Sequence, residues 1–518
     1  MSARGAMEVK SLELSNEQAD VIAFLDHDAF GTTRRVDTHA AHIFLTPDRA
    51  WKIKRSVNLG YLDFSTCEAR HRALEAELLL NRRTAPDLYL GLHRITRTRE
   101  GAFEVDGEGD TVDWILEMRR FPDDALLGHI AESGKLDLSM LRQLADTVQA
   151  LHQDAEVMTG RDGCARLREV MRGNAERLSK LVTVLPSDRV ALLMDVQTGL
   201  LEKHRNRLDA RAAAGRVRRG HGDSHLGNIA MVAGKPVLFD CLEFDEGLAT
   251  TDVLYDLAFL VMDLWHRGFN DEANILCNRY LDRSAADERG MVLMPFFISI
   301  RATIRAHVAA TKAVEGDVDA RGEALSYLDL AAAVLEPASA RLVAIGGLSG
   351  TGKSTLARLL GGGIGRAPGA RVLRSDVLRK RVAGIAPEAR LPRSSYTPAS
   401  ATQSYHALRS EVAAHLADGN SVIADASFAE LDERMAMIEV ALDAGASFTG
   451  LWLEAPIQTR IMRVRNRRDD ASDADEAVVR AQEETLIGDD EPWHILQVDD
   501  APDVVAAAAR KMLRIPLS

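Results

Sequence analysis

The octapeptide GLSGTGKS at residues 347–354 constrains the fold more strongly than any other stretch of this sequence. It matches G-x-x-x-x-G-K-[ST] at every fixed position, and the glycines of this pattern let backbone N–H groups surround a polyphosphate. An apolar run at 342–345 precedes it and a helix-forming run at 355–360 follows, so the phosphate would lie at a helix N-terminus. We therefore predict a nucleotide-phosphate loop, in which Lys353 lies at the β- and γ-phosphates and Ser354 is a Mg²⁺ ligand. The residues expected to contact the nucleotide are Gly347, Ser349, Gly350, Thr351, Gly352, Lys353, Ser354 and Thr355.

Strand candidates that alternate with helical runs follow the phosphate loop. They lie at residues 371–373, 421–424, 448–453 and 494–498. Strands that alternate with helices favour a parallel, doubly wound sheet, whose ligands lie beyond the carboxyl ends of the strands. Asp376 comes shortly after the first of these strands and Asp425 directly after the second, so we expect both side chains near a ligand.

The N-terminal part shows strands and a helix in an order that is typical of a protein-kinase N-lobe. The predicted elements are a helix over 13–30, strands over 41–45 and 50–54, a helix over 67–83, and strands over 88–90 and 113–118. Lys52 and Lys54 fall on the same face of the second strand, because side chains alternate along a strand. The following helix contains Glu75 and Glu77, either of which could pair with a strand lysine.

A second informative stretch is HGDSHLGN at residues 221–228, which is followed by a predicted hairpin that ends at Asp240. An Asp that precedes an Asn by five residues, with another Asp after a short hairpin, is the spacing used for phosphoryl transfer. Asp223 could accept the proton of a substrate hydroxyl. Asn228 and Asp240 could hold the Mg²⁺ that neutralises charge on the phosphates.

These residues resemble the catalytic loop H-G-D-x-H-x-x-N of the aminoglycoside phosphotransferase-like family, which is related to choline and fructosamine kinases. The resemblance extends over about residues 36–335. It implies that Asp223 is the catalytic base, that Asn228 and Asp240 are metal ligands, and that Lys52 or Lys54 contacts the α- and β-phosphates while paired with Glu77, or else with Glu75. Glu243 is open to two interpretations, a further metal ligand or a structural residue.

The C-terminal part resembles P-loop small-molecule kinases such as gluconate kinase, chloramphenicol phosphotransferase and zeta-type toxins. That resemblance implies that Asp376 contacts or deprotonates the acceptor hydroxyl and that Arg379 contacts substrate or phosphate. It also places Asp425 near Mg²⁺ and makes residues 460–468 a lid. Within that lid we predict that Arg463 and Arg467, four residues apart on one helical face, contact the phosphates. The alternative is an exposed charged helix.

The predicted fold class is α/β and α+β, with two domains. Residues 1–338 form a bilobal, protein-kinase-like domain, with its N-lobe at about 30–120 and a helical C-lobe at about 123–335. Residues 339–518 form the P-loop kinase domain. The break at 119–124 and the short linker 336–340 mark these boundaries, because both are polar and contain proline.

Composition excludes several classes of protein. The net charge of -13 and the pI near 5.7 argue against a general binder of nucleic acid or anionic membranes. The four cysteines are scattered without a C-x-x-C pair, which is typical of reduced thiols. The N-terminus lacks the apolar core of a signal peptide, and the longest apolar run, at 291–300, is too short to span a bilayer. We therefore expect a cytoplasmic protein.

Both halves together resemble the bacterial fusion proteins described as bifunctional aminoglycoside phosphotransferase/ATP-binding proteins. That resemblance implies two sites for ATP and Mg²⁺, each of which transfers the γ-phosphate to a hydroxyl of a small polar metabolite, sugar or drug. Two other hypotheses remain open at this point. One domain could be a nucleotide-binding regulator of the other, or the kinase-like domain could phosphorylate protein, including itself.

Overall fold

The computed structural model describes residues 16–38, 40–58, 63–158, 162–243, 246–468, 470–482 and 492–515. The chain divides into two compact units, of which the first contains residues 1–136 and 219–250 and the second contains residues 137–218 and 251–518. The predicted domain boundary near residue 339 lies inside the second unit, between a helix that ends at Ala333 and a strand that begins at Arg341. That these two parts are separate domains stays a prediction.

An antiparallel sheet and the helices that flank it form the N-terminal part of the first unit. Its elements are α1 (Asn16–Phe24), β1 (Arg34–Asp37), β2 (Ala41–Leu45), β3 (Arg49–Lys54), α2 (Cys67–Asn81), β4 (Tyr89–Arg97), β5 (Phe103–Val105), β6 (Asp110–Arg119) and α3 (Leu127–Glu132). The strand order is β1-β2-β3-β6-β4-β5, and neighbouring strands are antiparallel. The helices and strands predicted for this part are present, although residues 13–15 of the first helix lie outside the described ranges.

Strand β3 separates the apolar core of this sheet from the candidate site. Trp51 and Ile53 pack on the face that also carries Phe44 and Leu25. Because successive side chains point to opposite faces of a strand, Lys52 and Lys54 lie on the other face. Both lysines are buried there.

The middle of the chain is largely helical and contains a short β-hairpin. Its elements are α4 (Leu138–Asp154), α5 (Gly163–Leu178), α6 (Ser187–Ala213), β7 (Val217–Arg219), β8 (Ile229–Val232), β9 (Lys235–Leu238), α7 (Glu246–Ala249), β10 (Thr250–Asp252), α8 (Val253–His266), α9 (Asn270–Arg283), α10 (Met294–Val314) and α11 (Ala320–Ala333). One helical stretch, Ala285–Val314, is long and apolar enough to cross a membrane, and 83% of its most apolar window is buried inside the protein. Such burial is typical of a core helix.

The C-terminal part is the doubly wound parallel sheet that the sequence predicts. Its elements are β11 (Arg341–Gly347), α12 (Lys353–Gly361), β12 (Arg371–Arg374), α13 (Ser375–Val382), α14 (Pro398–Ala417), β13 (Val422–Asp425), α15 (Leu431–Asp443), β14 (Ser447–Glu454), α16 (Ile457–Arg465), α17 (Glu476–Ala481), β15 (Trp493–Gln497) and α18 (Pro502–Leu513). The strand order is β12-β13-β11-β14-β15, with every pair parallel. Helices cover both faces, because β11 contributes Val343 to one buried cluster and Leu342 to another.

Within the second unit, buried polar contacts join the helical region to the first residues of β12. The guanidinium of Arg371, which is fully buried, contacts Glu288 at 2.6 Å and Asp282 at 2.7 Å, and donates to the side-chain oxygen of Asn278 at 2.8 Å. Asn274 donates to two backbone carbonyls just before β12, at 2.9 and 2.8 Å. The helical region and the parallel sheet therefore pack as one body.

We expect Arg371→Met to destabilise this unit by about 3 kcal/mol, because the substitution leaves the buried carboxylate of Glu288 with less compensation. Arg409→Met is the matched control, since Arg409 pairs with Glu439 at 3.4 Å on the surface. The control should change stability by less than about 0.5 kcal/mol. Urea unfolding followed by circular dichroism measures both, and equal midpoints for the two variants would contradict the role assigned to Arg371.

Candidate active sites

The first candidate site contains a cluster of two buried lysines and three carboxylates, of which Asp240 is 42% exposed in its side chain. Lys52 Nζ lies 2.7 Å from Glu77 and 2.7 Å from Asp240, whereas Lys54 Nζ lies 2.7 Å from Glu77 and 2.6 Å from Glu243. Glu77 is fully buried on α2. The alternative partner, Glu75, is 58% exposed. The structure therefore brings both predicted lysines to Glu77.

The two lysines differ in what else they contact. Lys52 connects Glu77 to Asp240, the candidate metal ligand, so it lies at the edge of the site where phosphates would bind. Lys54 is held by Glu77 and Glu243, which is only 9% exposed in its side chain. Glu243 therefore has a lysine as its partner, and its metal-ligand interpretation stays a prediction.

Opposite charges set the protonation of this cluster. Burial opposes the charged form of Lys52, but the carboxylates of Asp240 and Glu77 raise its pKa well above the ordinary value. Burial would also raise the pKa of Asp240, but Lys52 and Lys54 outweigh it and hold that pKa at about 2. Both Lys52 and Asp240 are therefore charged near neutral pH.

The loop that contains Asp223 is shaped by a glycine and by hydrogen bonds among its own residues. Gly222 has φ +84°, and a Cβ there would lie 2.8 Å from Cβ of Leu242, so only glycine fits. The side chain of Asn228 donates to the backbone oxygen and to the carboxylate of Asp223, both at 3.0 Å. The Asp223 carboxylate is 36% exposed and lies 3.6 Å from His225. Asp223 is thus oriented by Asn228 and open to a substrate.

Asp240 follows β9 in a left-handed backbone conformation, with φ 61°. Aspartate tolerates this conformation better than most residues, and such strain is concentrated at functional sites. The Asp240 backbone N–H donates to the hydroxyl of Tyr89 at 3.1 Å, and the N–H of Cys241 donates to Asn81 at 2.9 Å. Tyr89 and Asn81 therefore position the candidate metal ligand, and no motif in the sequence indicates them.

The second candidate site is the phosphate loop between β11 and α12. Gly347, Gly350 and Gly352 have φ of 135°, 87° and 100°. A Cβ at Gly350 would lie 2.6 Å from the backbone oxygen of Arg460, and one at Gly347 would lie 2.6 Å from the backbone oxygen of Leu453. Both the backbone conformation and the close approach of neighbouring chain therefore require glycine.

Lys353 is the first residue of α12, and its side chain folds back over the phosphate loop. Its Nζ donates to the backbone oxygens of Gly347 at 2.6 Å and Leu348 at 3.0 Å. Burial lowers the pKa of Lys353, and the carboxylate of Asp425 only partly opposes this effect. A buried ammonium whose hydrogen bonds go to carbonyl groups favours an anionic ligand.

The predicted Mg²⁺ ligands of this site are adjacent. The hydroxyl of Ser354 donates to the carboxylate of Asp425 at 2.5 Å, and Arg374 lies 3.3 Å from the same carboxylate. Hydroxyl and carboxylate oxygens are ligands that Mg²⁺ prefers. The guanidinium of Arg374 also contacts Asp470 at 2.8 Å, an ion pair that the sequence does not indicate.

A cavity of about 1080 Å³ lies at the carboxyl end of the parallel sheet. Residues 349–355 of the phosphate loop line it, together with Asp376, Arg379 and Asp425. Asp376 lies in the first turn of α13, where Arg379 contacts it at 2.7 Å. Apart from Gly347, the residues predicted for nucleotide and acceptor therefore line one cavity, which is large enough for two small ligands.

The predicted placement of Arg463 and Arg467 on one helical face is wrong. Helix α16 ends before Asn466, so Arg467 lies beyond it and helical periodicity does not apply. Arg463 donates to the backbone oxygens of Thr351 at 3.1 Å and Val498 at 2.7 Å, which ties the phosphate loop to the end of β15. Both arginines line the cavity, so a phosphate contact stays a prediction for each.

Two parts of the chain match known family models. Residues 118–291, which include the loop of Asp223, match the phosphotransferase enzyme family, and residues 342–487, which include the phosphate loop, match an AAA domain family. The chain joins a phosphotransferase-family region to a P-loop kinase-like domain. It is accordingly a phosphotransferase that carries two kinase-like regions.

Curated relatives match most of the length of this chain. The chain is 29% identical over 453 residues to uncharacterized proteins of Mycobacterium bovis and Mycobacterium tuberculosis, and the match covers 86% of this chain and 88% of each relative.

Solved structures match a third of the chain. A sugar kinase of Janibacter is 20% identical and an APS kinase of Mycobacterium tuberculosis is 23% identical, and each match covers 34% of this chain and 95% or 99% of the solved one. A gluconokinase of Sinorhizobium meliloti is 17% identical over the same share of this chain and 95% of its own. The TM-scores are 0.27, 0.26 and 0.24, so these matches support no argument about activity.

We expect Lys52→Met to weaken binding of Mg²⁺·AMP-PNP to the first site at least about tenfold, because a desolvated charge contact to phosphate is lost. Lys54→Met is the matched control and should weaken binding less than about threefold, since Lys54 pairs with Glu243 instead of Asp240. Calorimetric titration in a Lys353→Ala background confines the signal to this site. A larger loss with Lys54→Met would assign the phosphate contact to Lys54.

The charged form of Asp240 should stabilise the fold in a defined range of pH. Because its pKa falls from an ordinary 3.8 to about 2 on folding, this stabilisation is complete above pH 4 and is lost as the pH falls toward 2. The difference in unfolding midpoint between wild type and Asp240→Asn should therefore shrink over that interval. Asp48→Asn, at a side chain that is 76% exposed, is the control and should show a small difference throughout. A difference for Asp240→Asn that does not vary with pH would contradict this account.

Proposed function

We propose that the protein is a bifunctional phosphotransferase with two ATP sites, each of which transfers the γ-phosphate to a hydroxyl of a small polar molecule. The observation that carries this proposal is that each site gathers the same set of groups. A lysine lies near enough to a candidate metal carboxylate for the carboxylate to oppose the lowering of the lysine's pKa by burial, and an aspartate is available to an acceptor. The pairs are Lys52 with Asp240 and Lys353 with Asp425, and the aspartates are Asp223 and Asp376.

In the first site Asp223 is the proton acceptor. The acceptor oxygen attacks the γ-phosphorus, the bond from that phosphorus to the ADP oxygen breaks, and the hydroxyl proton passes to the Asp223 carboxylate. Asn228 fixes the orientation of this carboxylate through two hydrogen bonds. Lys52, which Glu77 holds in place, contacts the α- and β-phosphates.

The first site fits Mg²⁺. The amide nitrogen of Asn228 is used by Asp223, so its oxygen is the atom that remains for a cation. One carboxylate oxygen of Asp240 contacts Lys52, and the other is available. When bound, Mg²⁺ would neutralise charge on the phosphates.

In the second site Lys353 lies at the β- and γ-phosphates, within a loop whose residues 349–355 line the cavity. Ser354 and Asp425 offer oxygens to Mg²⁺. Asp376 accepts the acceptor proton during a transfer that breaks the same bond to ADP. Arg379 contacts the carboxylate of Asp376 and so holds it at the cavity wall.

Small, soluble acceptors fit the remaining properties of the chain. The net charge of -13 disfavours nucleic acid and anionic membranes as partners. The apolar stretch within Ala285–Val314 is mostly buried in the protein. We infer a cytoplasmic enzyme whose acceptors are sugar-like alcohols.

The experiment that tests this proposal is transfer from [γ-³²P]ATP to a panel of sugars, polyols and aminoglycosides. Asp223→Ala should abolish one product and Lys353→Ala another, each by at least about a hundredfold, because each removes a group that acts at one site only. Exposed Lys135→Ala is the control and should retain both activities.

Two results would contradict the proposal. If Asp223→Ala changes no product while Lys353→Ala abolishes all of them, the first region is a regulator without its own chemistry. If label enters the protein itself and no small molecule, the kinase-like region acts on protein.

A further inference from the structure

The cavity at the phosphate loop has a cationic side that the nucleotide phosphates do not account for. Its described lining carries ten cationic and six acidic side chains. Lys353 lies at the start of α12, beside the phosphate loop. Arg358 lies further along the same helix, about 7 Å along its axis from Lys353. The cavity therefore extends well past the position of the nucleotide phosphates.

Arg358, Arg374 and Arg142 form a cluster on this side of the cavity. Arg374 contacts Asp470 at 2.8 Å and Asp425 at 3.3 Å. Arg358 donates to the hydroxyl of Thr355 at 3.2 Å, and it forms no ion pair with any residue that the structure describes. Arg358 therefore adds positive charge to the cavity wall without a carboxylate partner among the described residues. One of the two carboxylates that Arg374 contacts, Asp425, also accepts from Ser354 at the candidate Mg²⁺ position.

The electrostatics of the cluster agree with this excess of positive charge. Burial and repulsion from Arg374 and Arg142 lower the pKa of Arg358 to about 10. Burial also lowers the pKa of Arg142. The carboxylate of Asp470 partly opposes this decrease, and the guanidinium of Arg374 adds to it. An anion bound among these groups would relieve the repulsion.

Arg142 comes from a different part of the chain than the rest of the cavity. It lies on α4, inside the range that matches the phosphotransferase family. One turn further along α4, Asp146 contacts Arg279 at 2.7 Å, and the guanidinium of Arg279 also pairs with Glu388 of the P-loop part. These contacts hold α4 against the P-loop part, and Arg142 lines the cavity.

We propose that Arg142, Arg358 and Arg374 bind an oxyanion of the phosphate or sulfate type on the acceptor of the P-loop site. This domain would then phosphorylate a hydroxyl of a molecule that already carries such a group. The proposal rests on the kinase activity proposed above, and the oxyanion itself does not react. The hydroxyl oxygen attacks the γ-phosphorus, ADP leaves, and the proton passes to Asp376. A phosphate ester is also what the first site releases, so its product belongs to this acceptor class.

The first test measures binding without turnover. The probes are inorganic phosphate and inorganic sulfate, titrated into full-length Asp223→Ala protein that is saturated with Mg²⁺·AMP-PNP. Arg142→Gln should weaken binding of the probes at least about tenfold, since one charge-assisted contact is lost. Arg172→Gln, at a side chain on α5 that is 69% exposed, is the matched control and should bind as the parent does. Equal binding by all three proteins would overturn the proposal.

The second test measures transfer to matched acceptors in the same Asp223→Ala background. The pairs are glucose and glucose 6-phosphate, ribose and ribose 5-phosphate, and glycerol and glycerol 3-phosphate, with the corresponding sulfate esters as a further arm. Transfer that depends on Lys353 should favour the charged member of a pair. Arg142→Gln should raise the KM for that member about tenfold or more and change kcat less than about threefold.

The outcomes separate this inference from the proposed function. If neutral and charged acceptors are used with equal kcat/KM, and Arg142→Gln changes neither value, the oxyanion site is overturned and the proposed kinase activity is retained. Transfer to no acceptor, together with probe binding that needs Arg142, would contradict the kinase activity and retain the oxyanion site. Use of sulfate esters in place of phosphate esters would identify the source of the oxyanion and support the site.

Discussion

The buried ion pair between Arg371 and Glu288 is the contact on which the second unit depends. A guanidinium without exposure to solvent is stable only where carboxylates and hydrogen-bond acceptors replace its water, and Glu288, Asp282 and Asn278 do so here. These partners lie in the helical region, whereas Arg371 begins a strand of the P-loop sheet. The two regions therefore cannot separate without exposing the buried charged groups to water or leaving them unpaired. As a consequence α4 stays beside the phosphate loop and supplies Arg142 to its cavity.

Compensated charge also organises the first site. Glu77 is fully buried and contacts two lysines, and each lysine contacts a second carboxylate. A helix, a strand and the segment after the hairpin meet at these four ion pairs. Asp240 is thereby held in a left-handed backbone conformation that few residues adopt. A cation or a nucleotide phosphate would enter a site whose charged groups are already in position, which is the condition for electrostatic catalysis.

Local patterns in the sequence predict what depends on local geometry. The phosphate loop and the loop of Asp223 are each one continuous stretch of sequence, and the backbone conformation of each requires glycine. Both motifs, and the parallel sheet, can therefore be predicted from the sequence. The alternation along β3 predicts that Lys52 and Lys54 share a face, and the family resemblance implies that one of them pairs with Glu77 or else with Glu75. The sequence does not predict which of Lys52 and Lys54 contacts phosphate, because this choice depends on Asp240 and Glu243, which are more than 180 residues away in sequence.

The features that the sequence does not predict depend on contacts between distant residues and on where helices end. Tyr89, Asn81 and Arg142 belong to no motif, and their relevance arises only from the tertiary fold. Arg463 and Arg467 have the spacing of a helical face, but the helix ends between them. Arg211, which precedes the loop of Asp223 in sequence, is buried and forms ion pairs with Asp252 and Asp287. A solvated surface and a buried ion network have the same sequence signature.

The central claim is that one chain holds two sites for ATP, and the stoichiometry of nucleotide binding tests it most directly. Equilibrium titration with Mg²⁺·AMP-PNP should give two equivalents per chain for the wild type. It should give one tight equivalent for Lys353→Ala. It should give one tight equivalent and a second, at least about tenfold weaker, for Lys52→Met, and only the weaker one for the double variant. A single equivalent in the wild type that Lys353→Ala removes would contradict the claim and leave the first region without a nucleotide site.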